Sequence, residues 1–182
     1  MHLSARLQRG FTLIELATTA AVAGVTLTVA VPGGLHLLED SVLSAEVNRF
    51  VAHFNFARSE AVKRGTEIVL CPSRAGADCE RGSDWSDGFL IYADRDGDGA
   101  RDEEDTILRH VHPDDGRARI RSRSASRWRV VFQPSGTTGG TNGSHAFCAT
   151  HGSADARAVI VSNTGRVRVA ERYSDGALPD CV

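Results

Sequence analysis

An almost uncharged apolar run from Phe11 to Val31 dominates the amino end of the chain. Its 21 residues match the roughly 20 that a helix needs to span a bilayer. Glu15 is the one carboxylate within it, and such a charge costs roughly 2.5–3.5 kcal/mol in lipid, so it is kept where it finds a partner. The pattern predicts a membrane helix with a functional carboxylate near its start.

A second helical pattern follows the tripeptide Pro32-Gly33-Gly34, which is expected to interrupt the helix. Apolar residues then recur at near-helical spacing, and Gly65 is a typical C-terminal stop. The predicted apolar face consists of Leu35, Leu38, Val42, Val47, Phe50, Phe54, Ala57 and Ala61. We expect the second half of this helix, over residues 35–65, to pack on a sheet.

From Thr66 onward the pattern changes to short strands separated by turn residues. The predicted strands are Thr66–Cys71, Gly88–Ala93, Thr106–Val111, Arg117–Arg123, Trp128–Gln133, Ser144–Thr150, Arg157–Ser162 and Gly165–Ala170. The predicted fold class is therefore α+β, with a long N-terminal helix laid against antiparallel β-sheet.

The amino-terminal motif Gly10-Phe11-Thr12-Leu13-Ile14-Glu15-Leu16 resembles the processing signal of type IV pilins and type II secretion pseudopilins. The resemblance implies that prepilin peptidase cuts between Gly10 and Phe11, and that the new amino group of Phe11 is N-methylated. It also implies that this amino group pairs with Glu15 of an adjacent subunit during assembly. Glu15 could instead serve only as a recognition element for the membrane or the protease. For the whole segment, the competing interpretations are an ordinary secretory signal and a plain membrane anchor.

Four later motifs extend this resemblance over the mature chain. They are similar to the FimT/GspH family of minor pilins and pseudopilins, and they comprise the stretch from Ala61 into Ser73, the run from Trp85 to Tyr92, the Phe132-Gln133-Pro134-Ser135-Gly136 loop and the run from Val161 to Arg168. That family implies a leader at residues 1–10, an assembly helix at 11–31 and a pilin domain formed by the helix at 35–65 and a β-rich head at 66–182. It implies an inner-membrane protein with its head outside the cytoplasm, assembling with other pilins, in a type IV pilus or in a type II secretion system. The sequence does not choose between these two machines.

Four cysteines are an even number in a head expected outside the cytoplasm, so two disulfides are predicted. Cys71 and Cys79 flank a short loop and form a natural local pair, which leaves Cys148 for Cys181 at the carboxyl end. Sequence alone allows three connectivities. A four-cysteine zinc site is disfavoured because close C-x-x-C pairs do not occur.

Charge is strongly segregated although the formal net charge is only −2. Residues 84–115 hold eleven acids and three arginines, whereas residues 116–172 hold ten arginines and two acids. Arginines at 117, 119, 121 and 123 alternate, so in a strand they share one face. These arginines either pair with the acidic half or bind the phosphates of a polyanion such as DNA.

In the FimT branch, a glycine-arginine-x-arginine motif is associated with DNA binding during natural transformation. Here the motif matches Gly165, Arg166 and Arg168. The candidate DNA-binding set therefore consists of Gly165, Arg166, Arg168, Arg119, Arg121, Arg123, Arg127 and Arg129.

The segment from Asp94 to Asp105 resembles a calcium loop in its spacing. Oxygen ligands fall at the first, third, fifth, ninth and twelfth positions, and glycine at the sixth; the candidate ligands are Asp94, Asp96, Asp98, Asp102 and Asp105. A solvated aspartate-glycine hairpin turn is the alternative.

No catalytic motif supports an enzyme, because the chain lacks G-x-S-x-G, H-E-x-x-H and P-loop patterns. His110 and His112 are interpreted as surface or edge histidines.

Overall fold

The computed structural model describes residues 11–112, 118–150 and 156–180, except for the side chains of residues 29–37. The predicted leader with Gly10, the alternating Arg117 and the predicted disulfide partner Cys181 lie outside the described residues. By contacts the chain divides into two compact units, Met1–Leu38 and Glu39–Val182.

One helix, α1, runs over the 52 residues Leu13–Arg64. The predicted interruption at residues 32–34 is wrong, because the helix continues through them. Proline removes a single i→i−4 hydrogen bond, which a long helix can lose without ending. The helix ends as predicted at Gly65, whose φ is 67° and whose N–H donates to Ala61 O over 3.0 Å. Within the part of the chain that the structure describes, no helix has an apolar stretch long enough to cross a membrane.

In the part of the chain that the structure describes, eight strands follow α1, and each overlaps one of the eight predicted segments. They are β1 Glu67–Pro72, β2 Phe89–Asp94, β3 Thr106–Val111, β4 Ala118–Ser122, β5 Val130–Phe132, β6 Gly143–Ala149, β7 Arg157–Val161 and β8 Val167–Ala170. A short 3-10 helix, Ala125–Arg127, separates β4 from β5.

The strands form two four-stranded antiparallel sheets. The first has the order β3-β2-β1-β5 and the second the order β4-β6-β7-β8. The chain thus enters the second sheet with β4, returns with β5 to pair with β1, and crosses again with β6. The segments before and after β5 therefore connect the two sheets.

The main core lies between α1 and the inner faces of both sheets, and it includes Leu43, Phe50, Phe54, Trp85 and Phe147. This confirms the predicted packing of the second half of the helix on sheet, with one local difference. Leu38, predicted on the apolar face, is 64 % exposed, whereas Leu43 is buried.

Smaller clusters occupy the outer sheet faces. One on the first sheet contains Val69, Leu90 and Tyr92, with Trp128 packed against it. One on the second sheet contains Ala146, Ile160 and Tyr173. Each outer face is therefore partly covered by residues from outside the sheet.

Candidate nucleic-acid interface

The outer face of the second sheet carries arginines of the candidate set. Along β4, Ala118, Ile120 and Ser122 are buried, whereas Arg119 is exposed and Arg121 half-buried. This is the alternation that the sequence predicts. The register pairs Arg121 with Ala146 and Arg119 with Cys148, and both partners belong to the outer cluster. The two arginines therefore point away from the main core.

A row across the sheet links Arg123 to Arg168. The Arg123 N–H donates to Ser144 O over 2.8 Å, Ser144 lies opposite Ile160, and Ile160 lies opposite Arg168. Three strand spacings separate the two arginines, which corresponds to about 14 Å. Residues more than forty positions apart in sequence thus flank one surface.

A groove of about 710 Å³ lies over this row. Its walls include Arg123, Arg127 and Arg168, and its remaining lining is small, polar or aliphatic. Among the described residues, no aspartate or glutamate lines it. Arg127 comes from the 3-10 helix and donates from Nη1 to Asn142 O over 3.1 Å. Three guanidinium groups around an acid-free groove can bind phosphate oxygens by charge and by forked hydrogen bonds.

The segment after β8 folds over the same face. Asp175 accepts a hydrogen bond from Arg123 Nη2 at 2.7 Å, and the Arg123 guanidinium lies 4.4 Å from the Tyr173 ring centroid. Arg168 Nη2 donates to Ser174 Oγ over 3.1 Å. The bond from Arg123 holds the pKa of the Asp175 carboxyl below its usual value. One internal carboxylate therefore already occupies the kind of position that a phosphate would take.

The acidic segment 84–115 does not supply the acids in these ion pairs. Arg123 pairs with Asp175, and Arg157 pairs with Asp40 over 2.5 Å. Arg121 lines a neighbouring hollow of about 520 Å³, which shares Ser122 and Arg123 with the groove and also contains Asp180. Pairing between the acidic and basic halves thus does not explain Arg123 or Arg157.

The glycine-arginine-x-arginine motif forms the turn into β8. Gly165 is buried with φ 76°, and a Cβ on it would collide with the carbonyl oxygen of Gly136. Arg58 Nε donates to the same carbonyl oxygen over 2.9 Å, which ties the turn to α1. Arg166 is exposed but does not line the groove, so the motif brings only Arg168 to it.

Arg129 contacts the loop that contains Gly99. Its Nη1 donates to the carbonyl oxygen of Gly99, and its guanidinium lies 5.2 Å from the Trp128 ring centroid. Arg129 therefore contacts the aspartate-rich loop and not the main groove, from whose lining it is absent.

The aspartate-rich loop is closed by its own carboxylates. Buried Asp94 accepts hydrogen bonds from Gly97 N at 2.8 Å and Gly99 N at 2.9 Å. Asp105 accepts from Arg95 N at 3.0 Å and from Asp102 N at 3.2 Å. Burial raises the pKa of Asp94. The loop is therefore held as a hydrogen-bonded turn.

Of the five candidate calcium ligands, Asp94, Asp96 and Asp98 have carboxylate oxygens within 4.8 Å of one another. Asp102 and Asp105 are not in this group. Because calcium takes six to eight oxygens, three clustered carboxylates fit it only partly. Calcium binding stays a prediction.

Cys71 and Cys79 form a disulfide with a Cα–Cα distance of 5.6 Å, the local pair that the sequence favours. The bond lies beside Trp128 on the outer face of the first sheet. Cys148 is also disulfide-bonded, and its predicted partner Cys181 lies outside the described residues.

Glu15 stands in the first turn of α1 and is exposed, as is Phe11. The Thr12 N–H donates to Glu15 Oε2 at 3.5 Å, and the Glu15 N–H donates to Thr12 Oγ1 at 3.3 Å. This reciprocal pair is a capping box, which the T-x-x-E spacing could have indicated from sequence. Glu15 thus has a local role in addition to its predicted role in assembly.

The model of a family described as type II transport protein GspH matches residues 46–165, well over half of the chain. Among curated proteins, no match was found. Two crystal structures of the type IV minor pilin FimU from Pseudomonas aeruginosa strain PAO1 share the fold. One is 20 % identical with a TM-score of 0.53, covering 70 % of this chain and 91 % of that chain. The other is 22 % identical with a TM-score of 0.55, covering 70 % and 87 %.

Three observations agree with one another. The helix packs on antiparallel sheets, the fold is shared with a minor pilin, and the family match covers well over half of the chain. The chain therefore belongs to the GspH family of pilins and pseudopilins, structural subunits that assemble with other pilins, and it is not an enzyme.

Proposed function

We propose that this protein is a minor pilin of a type IV pilus that binds DNA through the outer face of its second sheet. The observation that carries this proposal is the acid-free groove lined by Arg123, Arg127 and Arg168. Phosphate contacts from arginines give affinity without sequence preference. Binding of this kind suits a protein that takes up DNA of any sequence.

The groove makes a specific prediction about the two arginines of the motif. Arg168 lines it and Arg166 does not, so Arg168→Ala should weaken DNA binding more than Arg166→Ala. Arg123→Ala combined with Arg168→Ala should weaken it most. Arg74→Ala is the control, because Arg74 is exposed and pairs with Asp87, away from the groove.

The test is fluorescence anisotropy of labelled DNA with the full chain in mild detergent at low salt. The expected result is a loss of about tenfold or more for the double variant, since each phosphate contact that is lost removes part of the electrostatic affinity. Unchanged binding by the double variant, or an equal loss with Arg74→Ala, would contradict the proposal.

We propose further that prepilin peptidase cuts between Gly10 and Phe11, that the Phe11 amino group is methylated, and that residues 11–31 anchor the chain in the inner membrane with the head outside the cytoplasm. Glu15 then pairs with the Phe11 amino group of a neighbouring subunit. The exposed apolar side chains around Glu15, such as Leu13 and Ile14, support contacts with lipid or with other helices. Mass spectrometry of the mature amino terminus tests the cut and the methylation.

Glu15→Gln separates the two roles of the glutamate. Glutamine keeps the capping box with Thr12 but removes the charge. We expect this variant to fold normally and to fail in co-assembly with other pilins. Normal co-assembly of Glu15→Gln would contradict the pairing.

A second function is favoured by the name of the matching family, type II transport protein GspH. In that case the protein is a structural pseudopilin of a type II secretion system, and its partners are other pseudopilins. Deletion of the gene would then abolish protein secretion and leave DNA uptake intact. The opposite pattern is expected for the DNA-binding minor pilin.

A further inference from the structure

A second arginine-lined groove, of about 420 Å³, lies beside the start of β5. It is lined by Arg81, Arg127 and Arg129 around Trp128, together with small residues, and none of the lining residues that the structure describes is acidic. This combination of three guanidinium groups and one indole has no counterpart in the first groove.

Trp128 has two distinct surroundings. It packs against the outer cluster of the first sheet, which includes Val69 and Leu90, yet it is only half-buried. The buried side of the indole is explained by this packing, because it covers the outer face of the first sheet. The packing does not explain why Arg81 and Arg129 border Trp128 in both hollows beside it, the second arginine-lined groove and a hollow of about 320 Å³ that also contains Asp78 and Asp98.

The two arginines nearest the indole are held differently. Arg129 is half-buried and donates to the carbonyl oxygen of Gly99. Arg81 is exposed, and its guanidinium lies 5.8 Å from the ring centroid of Trp128, near the limit of a cation–π contact. Arg81 can therefore move off the ring at little cost and still reach a ligand in the groove.

The second groove is continuous with the first, because Ser126 and Arg127 line both. A nucleic-acid backbone that passes Arg168 and Arg123 would reach Trp128 by way of Arg127. The acid-free lining continues along this path.

We propose that Trp128 stacks on one unpaired base, while Arg81 and Arg127 bind the phosphates on either side of it. A base within a duplex is stacked on both faces, so a half-buried indole in a groove can stack only on a base that has left the helix. The protein should therefore prefer single-stranded to duplex DNA. This inference rests on the proposed DNA binding and names the form of DNA that the site takes.

The preference should be measurable because stacking on an aromatic ring strengthens binding by between about fivefold and a hundredfold per base. Tryptophan fluorescence reports it directly. The chain has two tryptophans, and Trp85 is fully buried in the core. Quenching by bound DNA would therefore come from Trp128.

The experiment uses the full chain in mild detergent with an oligothymidylate and a hairpin-capped duplex of equal phosphate number. We expect the oligothymidylate to quench fluorescence and to bind at least about fivefold more tightly than the duplex. Trp128→Leu, which keeps an apolar cover over the sheet, should abolish the preference. Trp128→Phe, which keeps an aromatic face, should retain part of it.

The outcomes separate this inference from the proposed function. If both DNA forms bind equally and without quenching, but binding depends on Arg123 and Arg168, stacking is wrong and the DNA-binding groove stands. If neither form binds, both proposals are overturned. If Trp128→Leu does not fold, the quenching and the strand preference of the unaltered protein decide the question.

Discussion

His145 lies in the aromatic core, and replacing it with leucine gives a quantitative test of how that core is built. Its ring lies 4.8 Å from that of Trp85 and 5.1 Å from that of Phe50, measured between centroids. The side chain is fully buried, and neither ring nitrogen has a hydrogen-bond partner among the described residues. Burial lowers the pKa of His145 to about 3.

Two contributions set the size of the effect. At neutral pH, removing unsatisfied buried nitrogens recovers about 1–3 kcal/mol, and losing the aromatic contacts costs about 0.5–1.5 kcal/mol. His145→Leu should therefore be stabilising by about 1 kcal/mol. A third contribution, from the protonation of His145, depends on pH.

The sign of the pH effect follows from the lowered pKa. Between pH 6.5 and about pH 3 the unfolded chain binds a proton that the folded chain does not. Stability from this source is complete above pH 6.5 and falls by about 1.4 kcal/mol per pH unit below it. At about pH 5 the leucine variant should thus gain roughly a further 2 kcal/mol over the unaltered protein.

The assay is urea unfolding of residues 39–182, the compact unit that contains all the buried core residues described. Both proteins are measured from neutral pH to about pH 5. Comparing them cancels other titrating groups, such as His53, whose pKa is also lowered by burial and by nearby arginines. A stability difference that does not change with pH would refute the assignment of His145 as a buried neutral base.

Three further predictions concern the turn, the groove and the aspartate-rich loop. Gly165→Ala should lower thermal stability more than Gly176→Ala, because both have positive φ but only the first would place a Cβ against backbone; equal losses in melting scans would contradict the close contact. Asp175→Asn should raise DNA affinity by up to about fivefold, because it frees Arg123. Asp87→Asn makes the same charge change at the pair with Arg74 and should not raise the affinity. Equal gains in anisotropy titrations would show that net charge alone is responsible. Calcium at millimolar concentration is expected to raise the melting temperature of the unaltered protein and not of Asp96→Asn, and no shift in either would remove the calcium prediction.

Much of the fold follows from local pattern. All eight strands overlap the predicted segments, and β3 spans Thr106–Val111 as predicted. The division into two sheets has no local signal, because it depends on long-range pairs such as Val69 with Val131. The helix continues through residues 32–34, against the prediction, because the hydrogen bonds on either side of Pro32 outweigh the local effect of the proline and the two glycines.

The candidate interface was predictable only in part. The alternation that exposes Arg119 identified one face of a strand. The row from Arg123 to Arg168 depends on the register of four strands, which the sequence does not state. Asp175 lies 52 residues from its partner Arg123, and Arg81 reaches Trp128 from the loop after the local disulfide, so neither has a signal in nearby sequence.

The salt dependence of DNA binding tests the central claim most directly. If Arg123, Arg127 and Arg168 each neutralise one phosphate, the logarithm of the binding constant should fall against the logarithm of salt concentration with a slope of about −2.7 for duplex DNA. Arg123→Ala with Arg168→Ala should reduce the magnitude of that slope by about 1.8. A slope that the double variant leaves unchanged would contradict the assignment of the acid-free groove as the DNA-binding surface.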